Sequence, residues 1–394
     1  SGAHAARWQG LAVERSRLGI PLLFTGHTNT PALSPWAVAA SWDEALAEAL
    51  GQAAGRSAIE RGCNALHAPR CSVTARRLDD DCEIAACEPH LVARLAAAHS
   101  HGTSLRSAHA RSAVLGMVQM SGDDAPSARL GALALAQGGI AGAIDTAALD
   151  ADTAARAGYD GMLVAECARL RNLVKREFAG TRARSFLEAA ERALADGNLR
   201  EEEIDNAVRG VLHAKHAIGL FRDPQRMLPA ECGPTGYARA DERIRATMVL
   251  LRNEAGTLPF SPVSDRVLVV GDPDDAAGLC ADALGRAGIG HVAAPGLAMR
   301  RNGEPWSEPI GGDHFALALT RDAAKRCDFA LVVLEDKHFV GPAQGEWRIP
   351  GAATMALLRA LAAVAPRMVA LVATSEPVDL ADADQHFAAV LQCW

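Results

Sequence analysis

The chain is poor in rings: aromatic residues make up 4%, with two Tyr and six Trp. A surface built mainly from stacking platforms for sugars or bases is therefore excluded, and any ligand contacts come from few rings. There is no basic excess either, since 40 Lys and Arg stand against 47 Asp and Glu for a net charge of −7. That balance argues against nucleic acid and anionic membrane surfaces as partners. No run approaches the ~18 uninterrupted apolar residues that a membrane-spanning helix needs, so no membrane insertion is expected. The nine Cys are odd in number and form no Cys-x-x-Cys pair, as Cys63, Cys71, Cys82, Cys87 and Cys167 illustrate. A disulfide framework and a zinc knuckle are thereby disfavoured, and a cytoplasmic setting is favoured over a periplasmic or secreted one. No basic stretch leads into an apolar run at the N-terminus, while Ser1-Gly2 has the look of a cloning remnant, which leaves a removed export signal open.

What is present is enough apolar residue for large cores. With 394 residues, 49% hydrophobic and 22% charged, the composition is that of a folded chain of about two domains. A short apolar segment, Ile20 to Phe24, reads as a buried strand, followed by helical periodicity from Asp43 to Ala54 and a second strand around Ala65 to Ala68. Strand patterns return at Ala113 to Met120 and Met162 to Val164, with helices over Ala183 to Ala195 and Glu201 to Ile218. The alternation predicts a β/α barrel or a doubly wound sheet. Turn residues crowd the stretch from Arg222 to Gly236, which places the boundary there: 1–222 as the first domain, 223–240 as linker and 241–394 as the second. Beyond it, strands at Arg266 to Gly271, Phe329 to Leu334 and Met368 to Thr374, with a helix over Met355 to Val364, predict an open α/β sandwich.

The short motifs point to no cofactor and no metal. Gly271-Asp-Pro-Asp-Asp follows a strand, but it lacks the Gly-x-Gly-x-x-Gly turn, and its acids would repel a pyrophosphate. His213 and His216 share a helix face without a third ligand, and His99 with His101 likewise reads as a packed or solvated face. Asp79-Asp80-Asp81 reads as a solvated loop.

Read in order, several segments resemble one family. Glu14 through Phe24, Ala39-Ala-Ser-Trp-Asp43, Ala68-Pro69 and Glu88-Pro-His-Leu-Val92 are similar to the first domain of glycoside hydrolase family 3, the β-glucosidase family. Gly158 through Val164, Ile204 through Val208, Lys215 through Phe221 and Val249 through Glu254 follow in the family's order, as do Ala330 to Glu335, Ile349-Pro-Gly351 and Ser375-Glu-Pro-Val378. The resemblance implies a β/α barrel followed by an α/β sandwich. It also implies a carboxylate nucleophile at the end of a barrel strand and a carboxylic acid/base on a sandwich loop. Retaining chemistry needs these carboxyls about 5 to 5.5 Å apart.

The departures are as specific as the matches. Where the family has Val-Ser-Asp-Trp, this chain reads Val164-Ala-Glu-Cys167, so the candidate nucleophile is Glu166 with one extra methylene. The acid/base stretch corresponds to Glu335 through Arg348, in which Glu346 is the best-placed acid and Trp347 can wall it against water. The family's sugar-holding aspartate after the first strand is replaced by Gly26-His27, which makes His27 and Asn29 the candidate hydroxyl-binding groups. Its Arg-x-x-Arg-Trp-Gly-Arg segment corresponds to Val73 through Asp79, leaving Arg76 and Arg77, and its Lys-His-Phe segment has no counterpart after Gly102. The interval from Gly102 to Gly158 is short for the family, so an incomplete or distorted barrel is expected, with self-association or a protein partner covering the exposed wall. The leading expectation is a β-glucosidase-like homologue with degenerate sugar-binding motifs, its hydrolysis weak or lost and its scaffold reused for a sugar-like ligand, a partner or altered chemistry. The alternative is an active retaining β-glycosidase on an unusual glycoside, using Glu166 and Glu346.

Overall fold

The computed structural model describes residues 2–27, 33–73, 82–105, 114–121, 191–197, 199–225, 240–294, 300–301, 304–305, 314–341 and 347–394. The chain divides into two compact units that change over between Arg243 and Ile244.

The first unit opens with α1 (Gly2–Arg15) and carries a sheet of four described strands: β1 (Thr25–His27), β2 (Ala65–Val73), β3 (Ile84–Ala86) and β4 (Leu115–Ser121). All of their pairings are parallel, and β2 is the hub: Thr25–His27 run level with Ala65–His67, Cys71–Val73 level with Ile84–Ala86, and β4 follows most of its length. The helices between are α2 (Pro35–Ser41), α3 (Glu44–Glu60) and α4 (Pro89–Thr103), with α5 (Glu201–Ala217) later in the chain. Local chemistry sets the helix starts. Asp43 accepts the Ala45 N–H at 2.8 Å, while Glu88 caps Leu91 just ahead of Pro89. The strand period then sends Leu66 towards Ala58 and Ile59 of α3, and its neighbour Ala65 towards Ala214 of α5 and Ile218 just beyond it.

The expected strand at Ile20 to Phe24 is a correction: the strand begins only at Thr25. The Asn64 side chain takes the place of a ladder there, its Oδ1 accepting the Phe24 N–H at 2.7 Å while the Phe24 carbonyl accepts from the Asn64 and Ala65 amides. The second strand runs on past Ala68 to Val73, with a register shift between His67 and Arg70 that accommodates Pro69 inside it. The expected strand at Met162 to Val164 lies outside the described residues.

The second unit is a mixed α/β layer structure. After α6 (Ala240–Thr247) come β5 (Val249–Asn253), β6 (Arg266–Val270), α7 (Ala276–Arg286), β7 (Gly290–Ala294), a short pair β8 (Arg300–Arg301) and β9 (Glu304–Pro305), and α8 (His314–Ala324). Then follow β10 (Phe329–Glu335), the two-residue strands β11 (Phe339–Val340) and β12 (Ile349–Pro350), α9 (Ala352–Ala362), β13 (Met368–Ala373) and β14 (Ala389–Cys393). The main sheet has the order β5-β14-β13-β10-β6-β7, all parallel except β5, which runs antiparallel to β14. Alternation along the central strands feeds two cores. Leu268, Val270, Val332 and Leu334 pack with α8 and α9, whereas Val267, Val269, Leu331 and Val333 pack with Ala277 and Leu284 of α7.

Candidate functional site

In open parallel sheets, ligands are met outside the carboxyl ends of the strands. In the first unit His27 closes β1 beside His67 in register, and Val73 closes β2. Asn29, Arg76, Arg77 and Glu166 lie outside the described residues. Just below the end of β2, the buried Glu83 carboxylate accepts the Arg70 N–H, and the Cys82 thiol sits 3.1 Å from the Arg70 carbonyl and 3.0 Å from that of Ile84. Burial, joined by the neighbouring Glu83 charge, pushes the Cys82 thiol up to about 12, and burial raises Cys71 as well. Neither sulfur is a nucleophile.

The second unit holds the densest charge. The order of its sheet reverses between β6 and β10, and at their carboxyl ends Lys337 meets three carboxylates: Asp275, Glu335 at 3.0 Å and Asp272 at 3.8 Å. Burial disfavours the ammonium, but the hydrogen bonds and charges of Asp275 and Glu335 outweigh it and raise the Lys337 pKa. Glu335 also turns an oxygen to the Ala276 N–H at 3.3 Å, the first turn of α7. The neighbouring His338 is buried and held neutral, its pKa lowered to about 4 by burial and by the Lys337 charge; its ring nitrogen accepts the Glu335 N–H at 2.9 Å.

A second knot lies beside the first. Arg348 pairs with Asp336 and, through Nε at 2.8 Å, with Glu376; its Nη1 donates to the Asp336 carbonyl at 3.2 Å. Asp336 in turn accepts the Ser375 N–H at 3.2 Å. These residues come from the ends of β10 and β13 and from the approach to β12, so a single guanidinium ties three chain segments. Trp347 is half-buried beside it, and Glu346 lies outside the described residues. The sequence marked Glu335 through Arg348 as one stretch but gave no sign of Glu376 as a partner, because that contact joins residues 28 apart in sequence only through β13. Among the described residues no cluster of His, Cys, Asp or Glu could hold a metal ion, and no helix is long and apolar enough to cross a membrane.

This architecture has relatives. Residues 248–394 match the glycosyl hydrolase family 3 C-terminal domain. The second unit is a family 3 glycoside hydrolase C-terminal domain. No curated protein sequence matches the chain. Among solved structures, a β-glucosidase involved in saponin metabolism from intestinal bacteria aligns at 20% identity with a TM-score of 0.62, covering 100% of this chain and 69% of its own. A family 3 β-glucosidase from Bifidobacterium adolescentis aligns at 16% with a TM-score of 0.67, covering 99% and 66%. A Listeria innocua β-glucosidase variant in complex with laminaribiose aligns at 14% with a TM-score of 0.65, covering 100% and 64%. The chain thus spans about two thirds of the length of these β-glucosidases, and their likeness is one of fold. Against the family 3 background the Lys337 and Arg348 knots stand at the carboxyl end of the domain's sheet, both within the stretch Glu335 through Arg348 that the resemblance assigns to the acid/base.

Proposed function

We propose that this chain is a β-glucosidase-like family 3 protein that takes a sugar-like small molecule and hydrolyses ordinary β-glucosides weakly, as a retaining enzyme with altered hydroxyl contacts. The observation that carries it is the family 3 domain over residues 248–394, whose sequence keeps Glu346 two residues ahead of the anchored Arg348. Listeria innocua relatives were crystallised with glucose and with laminaribiose, which supports a sugar as the ligand class. In this reading the Glu166 carboxylate attacks the anomeric carbon while Glu346 protonates the departing oxygen, and Glu346 then takes the proton of the water that releases the sugar. His27, Asn29, Arg76, Arg77 and Trp347 are assigned to holding the sugar. The extra methylene of Glu166 displaces the attacking oxygens, and a misplacement of about 1 Å costs on the order of 100-fold.

The test is steady-state hydrolysis of 4-nitrophenyl β-glucoside by the wild type, Glu166→Gln and Glu346→Gln. Expected is a wild-type turnover some 100-fold below the roughly 10 per second of a median enzyme, lost in both variants. A wild type with no turnover above the buffer rate, or variants that turn over as fast as the wild type, overturns the reading.

A further inference from the structure

We propose that Arg348 is the positioning residue for the acid/base carboxylate; this rests on the assignment of that role to Glu346. The strands β11 and β12 pair over only two residues each, Phe339 with Pro350 and Val340 with Ile349. A ladder that short does not hold a hairpin in water by itself. One end is held by the His338 carbonyl, which accepts the Gly351 N–H and the Thr354 hydroxyl, both at 3.0 Å, and the end nearer the loop is held by Arg348. A side-chain carbon added at Gly341 would lie 3.2 Å from the Arg348 Cα, so residues 341 and 348 pack closely together. From that point the Arg348 guanidinium reaches Asp336 and Glu376, while its carbonyl accepts the Asp379 N–H at 2.9 Å. Arg348 and Glu376 are 15% and 12% exposed, so the pair is largely withdrawn from water and resists screening. The loop end of the hairpin is thus tied to the ends of β10 and β13, elements fixed in the sheet, and Glu346 is two residues along the chain from Arg348.

An acid/base matters in proportion to the leaving group's need for a proton, and this separates positioning from general loosening of the fold. Purified wild type, Arg348→Met, Arg348→Lys and Glu346→Gln are compared on 4-methylphenyl β-glucoside, whose phenolate leaves poorly without a proton, and on 2,4-dinitrophenyl β-glucoside, whose phenolate leaves unaided. Expected is a fall in kcat/KM of about 10- to 100-fold for Arg348→Met on the first substrate, against less than about threefold on the second. Arg348→Lys, which keeps the charge and loses the two-ended fork, is expected to fall between and decides the matter if the methionine variant does not fold. Equal losses on the two substrates, or no loss, overturn the inference while Glu346→Gln still discriminates between them. If Glu346→Gln does not discriminate, the acid/base assignment itself falls and this inference with it. A wild type silent on both substrates overturns both.

Discussion

The Glu335 carboxylate stands 3.3 Å from the Ala276 N–H, at the start of the helix that follows Gly271-Asp-Pro-Asp-Asp. In nucleotide-binding sheets the corresponding helix N-terminus faces a phosphate at the point where strand order reverses. Here the protein's own carboxylate takes that seat, and Lys337 supplies the compensating cation. Gly271 completes the close fit: a side-chain carbon there would lie 2.7 Å from the Ala277 Cβ. The crevice is thus bridged by a tie between the ends of β6 and β10 and the start of α7.

Lys337→Met should therefore destabilise the protein. The substitution leaves Asp275, Glu335 and Asp272 facing one another without their shared cation, at a side chain that is 11% exposed. Loss of one partner from a buried pair costs about 3 to 5 kcal/mol, and the partial exposure of Asp272 brings the expected cost to roughly 2 kcal/mol. Urea titration measures it. A midpoint unchanged from wild type would show that the cluster contributes nothing.

How far the sequence could be read depends on which forces act locally. The helix over Glu201–Ala217 and the strands Arg266–Val270 and Phe329–Glu335 follow their periodicity within a residue or two, because a buried run on a parallel sheet is recognisable without its neighbours. The strands Gly290–Ala294 and Ala389–Cys393 were not legible, being only five residues long, and gain their identity from pairing with β6 and β13. The displaced first strand shows the same limit from the other side: Asn64, forty residues on, decides where the ladder begins. Of the candidate site, the sequence isolates Glu335 through Arg348 as one stretch. The ties from Lys337 to Asp272 and Asp275 and from Arg348 to Glu376 are long-range and appear only with the sheet order.

Thiol labelling should follow burial. Cys87 is exposed, whereas Cys71 and Cys82 are buried, with Cys82 pushed up to about 12 by burial and so fully protonated at neutral pH. Under native conditions at pH 8, iodoacetamide should modify Cys87 and leave Cys71 and Cys82 untouched until the chain unfolds, as peptide mass spectrometry would read. Labelling of Cys82 at a rate near that of Cys87 would contradict the packing of β2 against β3.

His99 predicts an acid limb in the stability curve. It is buried on α4 against the Thr103 hydroxyl at 3.3 Å, and burial alone lowers its pKa to about 4. The unfolded chain protonates this ring near pH 6.5, so below that the unfolded state binds the extra proton and stability falls until pH about 4. The two and a half units amount to about 3 kcal/mol lost across that window. His99→Leu should reduce the wild-type slope between pH 6.5 and 4 in denaturant midpoints, and the remainder belongs to His338, whose pKa is lowered to about 4 as well. A variant with the wild-type slope would assign the limb to other groups.

Helices α3 and α4 pack backbone against backbone at two glycines, which make the approach possible. A side-chain carbon added at Gly51 would lie 1.9 Å from the His99 carbonyl oxygen, and one added at Gly102 would lie 2.0 Å from that of Glu48. Both obstacles are backbone, so no rotamer change relieves them, and the helices must separate. That separation strips contacts from the core formed by Ala47, Val92, Leu95 and Ala96 against β2. In an ordinary helix interior, replacing glycine by alanine gains about 0.5 to 1 kcal/mol. At Gly51 the sign should reverse, with Gly51→Ala costing about 3 kcal/mol. Gly10, inside α1, is the control: an added carbon there meets only the Gln225 Nε2 at 3.4 Å, an ordinary contact with a movable side chain. Thermal melts of the two alanine variants should move in opposite directions. A Gly51→Ala protein as stable as the Gly10→Ala protein would mean that α3 and α4 do not cross at these glycines.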